Sequence, residues 1–357
     1  MESRNINYIS KLDHLRFFAA FLVLLYHNYS STHGWYRGQN PLISLISEGN
    51  TGVALFMVIS GFLFTQIMYG QEIDYKKFLL NRVLRIYPLY LFVILLAAYI
   101  DPRNNLISVF TALFGLNRVT GTTVDPLFIS QMWSVAVEFQ FYIILPFLMG
   151  NTKQRGLRFI FYLLIFMFII RSILFIYYSE VRELSYWTIF GRIDQFCIGI
   201  LFGVLYKKEH IKRFMSKRSK WMLAFILSTL VVLLGIHFFS QFGGYDNRYS
   251  AIWIFWPSIE GLMWILFVVS YLSLEVNLNK NIDKALSYLG TISYSIYVFH
   301  VSSNFVSSRV ISYFNLKYSY ILSTAISTCL IICIASLSYL IIEKTFLDLR
   351  TRYIIKK

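Results

Sequence analysis

The chain has 357 residues, of which 57% are hydrophobic, 18% aromatic and only 14% charged, with a mean hydropathy of +0.58. Soluble domains carry about 25% charged residues, so this composition excludes an ordinary soluble protein and points to a polytopic helical membrane protein. The formal charge of +15 fits cationic loops that set topology and touch anionic lipid. It does not imply nucleic acid, because no basic segment is interleaved with a stacking platform.

Taken in order, apolar runs predict ten spans at about 14–31, 51–69, 86–101, 130–149, 158–178, 186–206, 221–240, 251–272, 288–310 and 319–342. The expected fold is therefore all-α, with a single transmembrane domain over 1–357 and no appended soluble domain. A shorter apolar segment, 105–117, reads as a re-entrant or surface helix. With the N-terminus in the cytoplasm, the cytoplasmic segments hold 23 Lys and Arg and the external ones 6, with Arg16, Arg171, Arg192 and Arg309 inside spans. The cluster at 207–220, KKEHIKRFMSKRSK, is the strongest single contributor. Both termini are thus expected inside, with 343–357 a basic cytoplasmic tail. Cys197, Cys329 and Cys333 all fall in apolar runs and read as packing residues, without disulfide or zinc spacing. Gly49, Gly52 and Gly61 read as sites of close helix packing.

Ionisable residues inside a bilayer are costly and usually face protein or a wet cavity. The first span, LDHLRFFAAFLVLLYHNY, holds two of them, Arg16 and His27. Eleven positions is close to three helical turns, so both lie on nearly one face, about 16 Å apart along the axis. This pair can hold a long anionic ligand at one end and move a proton at the other. Glu138, Arg171, Arg192, Asp194, Glu260 and Arg309 all fall in the outer halves of their spans, with His300 near the midplane, and together suggest a hydrated cavity opening outward. Glu138 needs a partner, for which Arg171, Arg192 and His27 are candidates. Arg192 and Asp194 can instead neutralise each other, and His300 and Glu260 have structural readings at least as good as catalytic ones. On the cytoplasmic side, Arg82 and Arg85 are three apart on one helix face. They can grip phosphate or simply obey the positive-inside rule. Trp133, Tyr142 and Tyr87 can be interface aromatics or stack on a sugar face.

The motifs occur in the order seen in the acyltransferase-3 family of bacterial integral-membrane O-acyltransferases. LDHLRFFAAFLVLLYH resembles the opening segment of that family, with Arg16 and His27 as its Arg-x10-His pair. GVALFMVISGF (52–62) is similar to its Gly-rich second span, and RVLRIYP (82–88) to its Arg-x-x-Arg motif. WSVAVEFQFYIILP (133–146), GRIDQFCIGILFG (191–203) and LGTISYSIYVFH (289–300) resemble its later motifs. The chain departs from the pattern at His14 and Phe17, where glycine is usual, at Ala54, where an acidic residue is common, and in IEKTF (342–346), which lacks a proline.

The resemblance implies an acyl-coenzyme A co-substrate, acetyl-coenzyme A first and succinyl next, on the cytoplasmic side, and no permanently bound cofactor or metal. It implies a polysaccharide or lipid-linked glycan acceptor outside, a bacterial cell membrane as the location, and polysaccharide-biosynthesis proteins as partners. Arg82, Arg85 and Arg16 would hold the donor. His27 would act as general base, oriented by Glu138 as in a triad, with Arg171 or Arg192 at the oxyanion and an acyl-histidine as a variant route. Asp194, Trp133, Tyr142, His300 and Glu260 complete the acceptor and oxyanion candidates. The alternative from another class is a polysaccharide exporter or flippase whose polar cavity is the translocation path.

Overall fold

The computed structural model describes residues 8–34, 38–100, 111, 131–207, 218–275 and 278–355. Segment 105–117, apart from Thr111, and most of the 207–220 cluster lie outside them. The described chain is almost wholly helical. It runs α1 (Ser10–His33), α2 (Pro41–Ser47), α3 (Gly52–Met68), β1 (Glu72–Ile73), α4 (Tyr75–Ile100), α5 (Met132–Arg155), α6 (Arg158–Tyr178), α7 (Arg182–Trp187) and α8 (Ile189–Tyr206). There follow α9 (Arg218–Gln241), α10 (Trp256–Ser273), α11 (Lys280–Thr291), α12 (Ser293–Tyr313), α13 (Tyr320–Ser338), a π-turn (Tyr339–Glu343), α14 (Lys344–Asp348) and β2 (Ile354–Ile355).

Ten of these helices have spanning length, and eight of them are also apolar enough to cross a membrane by composition. The other two, α1 with 24 residues and α12 with 21, carry His27 and His300. Their lower apolarity is the mark of helices that face protein rather than lipid. The lipid-facing surface is plain on α6, where Phe161, Tyr162, Ile165, Phe166, Ile169 and Ile173 form one exposed stripe. In water such a stripe would be an aggregation surface. In a bilayer it is the solvated face.

Helix α3 is the centre of the bundle, 83% buried over its most apolar stretch against 17% for α6. It packs on α8 at backbone distance. A Cβ on Gly61 would lie 2.1 Å from the Phe196 carbonyl, and one on Gly199 2.3 Å from that of Val58. Gly49 and Gly52 press in the same way on the Leu22 and Ala19 carbonyls of α1. Small residues let backbones meet where no hydrophobic force drives helices together. Cys197 is buried, whereas Cys329 and Cys333 sit on the exposed side of α13.

The expected ninth span starts too early. Residues 280–291 form the separate amphipathic helix α11, and the chain turns at Ile292 before α12. Its polar side meets the start of α1, where Ser10 donates to Asp283 at 3.1 Å and His14 lies 3.3 Å from the same carboxylate. Helix α4, in turn, starts eleven residues earlier than the apolar run, so Arg82 and Arg85 lie inside it rather than before it.

The tail returns to the N-terminal face of the bundle. β2 pairs antiparallel with β1 (Glu72 opposite Ile355), and the Asp74 amide donates to the Tyr353 carbonyl at 2.9 Å. Asn81 and Thr351 exchange two hydrogen bonds, of 2.6 and 3.0 Å. The tail is therefore a folded part of the protein rather than a loose anchor.

Four of the outer-half charges form buried pairs rather than lining an outward cavity. Arg171 donates to Asp194 at 2.5 Å, with side chains 1% and 0% exposed, and Ser258 donates to the same carboxylate. Arg192 donates to Glu260 at 3.2 Å and to the Tyr186 carbonyl at 2.8 Å, and Gln195 donates to Glu260 at 2.8 Å. Arg192 and Asp194 do not meet, because residues two apart on a helix point to opposite sides. Arg309 sits at an exposed position over the Phe305 ring.

Two predictions follow from this packing. Gly61→Val should lose about 1–3 kcal/mol of stability through overpacking, read as a lowered unfolding temperature in detergent. Gly150→Ala, where a Cβ meets nothing within 4 Å, should be neutral. Breaking the Arg171–Asp194 pair by either Arg171→Met or Asp194→Asn should cost about 3–5 kcal/mol. The double variant should cost clearly less than the sum, as measured by a double-mutant thermal cycle.

Candidate active site

A cavity of about 250 Å³ runs along α3 from Ile67 to Val53. Those residues are fourteen apart, so the cavity follows about 21 Å of helix. At the N-terminal face it is lined by Asp13, Arg16, Arg82, Arg85 and Arg350, and at its inner end by Phe56, Ser134 and Tyr297. Its wall thus carries four arginines beside the carboxylates of Asp13 and Glu138, with Glu343 behind Arg85.

The arginines are not equivalent. Arg16 lies 3.3 Å from Asp13, one turn below it. Arg85 donates to the buried Glu343 at 3.1 Å, held in turn by Ser295. Arg82 stands in an aromatic cage, with its guanidinium 5.1 Å from the Phe64 ring centroid, 5.8 Å from Phe78 and 5.7 Å from Tyr142. Cation–π attraction holds such a group without neutralising it. Its buried Nε has no hydrogen-bond partner among the described residues. A surplus cation fixed in place by ring faces is suited to receive an anion.

Glu138 faces the cavity rather than His27. It accepts from Ser60 at 2.8 Å and from Tyr142, one turn along its own helix. Arg171 and Arg192 are bound to other carboxylates and not to Glu138. The place next to His27 belongs to His300, whose Nε2 lies 3.2 Å from His27 Nδ1, with ring centroids 4.5 Å apart.

The hydrogen-bond network assigns both rings. His300 Nδ1 lies 2.5 Å from the Tyr297 carbonyl and His27 Nδ1 lies 2.9 Å from the Val23 carbonyl. A carbonyl only accepts, so each Nδ1 carries the hydrogen. The Nε2 of a neutral His300 is then a lone pair, and it receives the Nδ1–H of His27 in a bond shared with Val23. The lone pair of His27 is left on Nε2. In this arrangement His300 does what the carboxylate of a triad does: it fixes tautomer and ring orientation.

The two ends are joined through Tyr297. It lines the cavity, its hydroxyl lies 2.6 Å from Ser134 Oγ, and its carbonyl binds His300, one turn further along α12. Trp133 does not present a free face to a sugar. It is buried edge-on to Trp187 at 4.7 Å, with the Arg192 guanidinium 5.7 Å above it. Glu260 serves as the partner of Arg192, and Tyr142 as a wall of the Arg82 cage.

Sequence reasoning passed over Ser60, Ser134, Tyr297, Glu343 and Arg350. The spacing Tyr294, Tyr297, His300 in SYSIYVFH, at i, i+3 and i+6, places all three along one helix face and was a usable signal. Nothing local marks Arg350, whose position depends on the tail folding back across the chain.

The family model described as an acyltransferase domain matches residues 9–340. The chain is 26% identical over 96% of its length to a Bacillus subtilis protein named "Putative peptidoglycan O-acetyltransferase YrhL", covering 55% of that relative. It is 24% identical over 82% of its length to the peptidoglycan O-acetyltransferase OatA of Listeria monocytogenes, covering 49% of it. The chain thus spans about half the length of these curated relatives. No solved structure matches it. With residues 9–340 matched from the first helix to the π-turn, this multi-pass membrane protein belongs to the acyltransferase-3 family.

Proposed function

We propose that the protein is a membrane O-acetyltransferase that moves an acetyl group from cytoplasmic acetyl-coenzyme A to a hydroxyl of a surface glycan in a bacterial cell membrane. The observation that carries this reading is the continuity from an arginine-lined cavity at the N-terminal face to the histidine pair one turn beyond its inner end. The positive-inside bias of the sequence supports a cytoplasmic position for that face, where acyl-coenzyme A is found. The nucleotide end of coenzyme A is too large and anionic to cross, whereas its pantetheine arm is thin. Arg82, with Arg85 and Arg16 beside it, would meet the phosphates, and the arm would lie along α3.

The chemistry then needs one base. A sugar hydroxyl is too weak an acid to attack unaided, and a neutral imidazole suits proton removal near neutral pH. As the hydroxyl oxygen attacks the thioester carbon, His27 Nε2 takes its proton. Positive charge on the ring is held at Nδ1 by the Val23 carbonyl and His300 Nε2. The tetrahedral intermediate collapses with cleavage of the C–S bond, and the departing thiolate recovers the proton from His27. The products are an O-acetyl ester and free coenzyme A. The relatives named for peptidoglycan O-acetylation support a glycan as the acceptor class. A route through the Glu138 carboxylate as the orienting group is not favoured, since its hydrogen bonds go to Ser60 and Tyr142.

The test is release of free coenzyme A from acetyl-coenzyme A by the purified protein, with a glycan oligosaccharide as acceptor. Wild type should release it, and His27→Ala should lose at least about 100-fold, the usual scale of general-base catalysis. Wild-type protein that leaves the donor intact with every glycan tried would overturn the reading and favour a transporter. His300→Ala should lower kcat with little change in the KM for donor. His300→Asn, which keeps an acceptor oxygen toward His27 Nδ1, should recover part of the loss.

A further inference from the structure

The C-terminal tail lies beyond the matched family domain, which ends at residue 340, yet it builds part of the cavity. Arg350, Thr351 and Tyr353 line the same space as Arg16, Arg82 and Arg85. They are held there by independent ties. Asn81, one residue before Arg82 on α4, exchanges two hydrogen bonds with Thr351. The Tyr353 ring is 2% exposed and packs edge-on to Phe78 at 5.4 Å, and Phe78 is itself a wall of the Arg82 cage. The β1–β2 ladder closes the far side. The Arg350 side chain is steadied by its Nε–H, which donates to the Leu347 carbonyl at 3.0 Å. Burial pushes the Tyr353 hydroxyl up, and the positive charges of Arg82 and Arg350 pull it back. Two arginines far apart in the sequence therefore line one cavity.

We propose that the tail segment Arg350–Tyr353 is the outer rim of the donor site, and that Arg350 binds a phosphate of the nucleotide end of acyl-coenzyme A together with Arg82. The proposal rests on the donor reading above. It adds that selectivity for the whole coenzyme over its pantetheine fragment is supplied in part by residues outside the family domain. Arg352, two positions on, is exposed and does not line the cavity, so the role belongs to Arg350 alone.

The experiment compares binding of coenzyme A and of pantetheine, which lacks the nucleotide and its phosphates, to full-length protein in detergent. Wild type, Arg350→Ala, Arg350→Lys and Arg352→Ala are measured at matched unfolding temperature. Wild type should prefer coenzyme A. Arg350→Ala should weaken coenzyme A binding on the order of tenfold, the scale of one charge-assisted contact, and leave pantetheine unchanged. Arg350→Lys should lie between, because lysine keeps the charge but not the fork, and Arg352→Ala should match wild type. An Arg350→Ala protein that keeps the full preference for coenzyme A overturns this inference alone. So does one that weakens both ligands equally, as a collapsed rim would. Wild-type protein that binds neither ligand overturns the donor reading and this inference with it.

Discussion

A guanidinium inside a bilayer must find a carboxylate or an equivalent electron-rich surface, and that requirement divides the arginines of this protein into two sets. Arg171 and Arg192 are each matched to a buried acid, Asp194 and Glu260, and their task is to join helices. Both pairs involve α8, the helix that packs on α3. Arg82 is treated differently. It is surrounded by three aromatic rings, which favour the cation without cancelling it. The fold thus gives buried acids to Arg171, Arg192 and Arg85 and leaves the Arg82 cation held by ring faces on the wall of the cavity.

The histidine pair follows the same economy. A carboxylate beside His27 would be a further buried charge to balance. An imidazole with its own Nδ1 bound to a carbonyl offers the same directional acceptor without one. Two backbone carbonyls, of Val23 and Tyr297, thereby set the protonation of two side chains on different helices. Helix geometry fixes those carbonyls, so the pairing of α1 with α12 is what holds the rings in relation. The buried Asn28, Ser307, Ser323 and Ser327 cluster, lying beyond His27, ties α1, α12 and α13 together by hydrogen bonds at 2.9–3.3 Å. In lipid, such polar contacts and close packing do what apolar burial does in water.

Much of this was legible in the sequence because the bilayer makes polar residues conspicuous. Arg16, His27, Arg82 and Glu138 stand out against apolar neighbours, and their helical spacing was readable. The all-helical fold and the number of long helices followed from the same contrast. Pairing was not legible. Which acid meets Arg171 is decided by how α6 lies on α8, and the residue nearest in sequence to Arg192 was the wrong partner. Depth alone put Glu138 with the outer charges, although its helix turns it toward the arginine-lined cavity. The contribution of Arg350 was hidden because a polar tail has no periodicity, and only the ladder to β1 and the grip of Asn81 show where it goes.

The π-turn at Tyr339–Glu343 gives the last helix an unusual phase. A π-turn holds one more residue than an α-turn in the same space, so every side chain after it is rotated by about 100° from where an unbroken helix would put it. Glu343 is the residue that this offset aims at Arg85. The final helix therefore works as a vernier: if this turn relaxed to α geometry with every residue kept, that carboxylate would swing off the arginine and the tail behind it would be unseated.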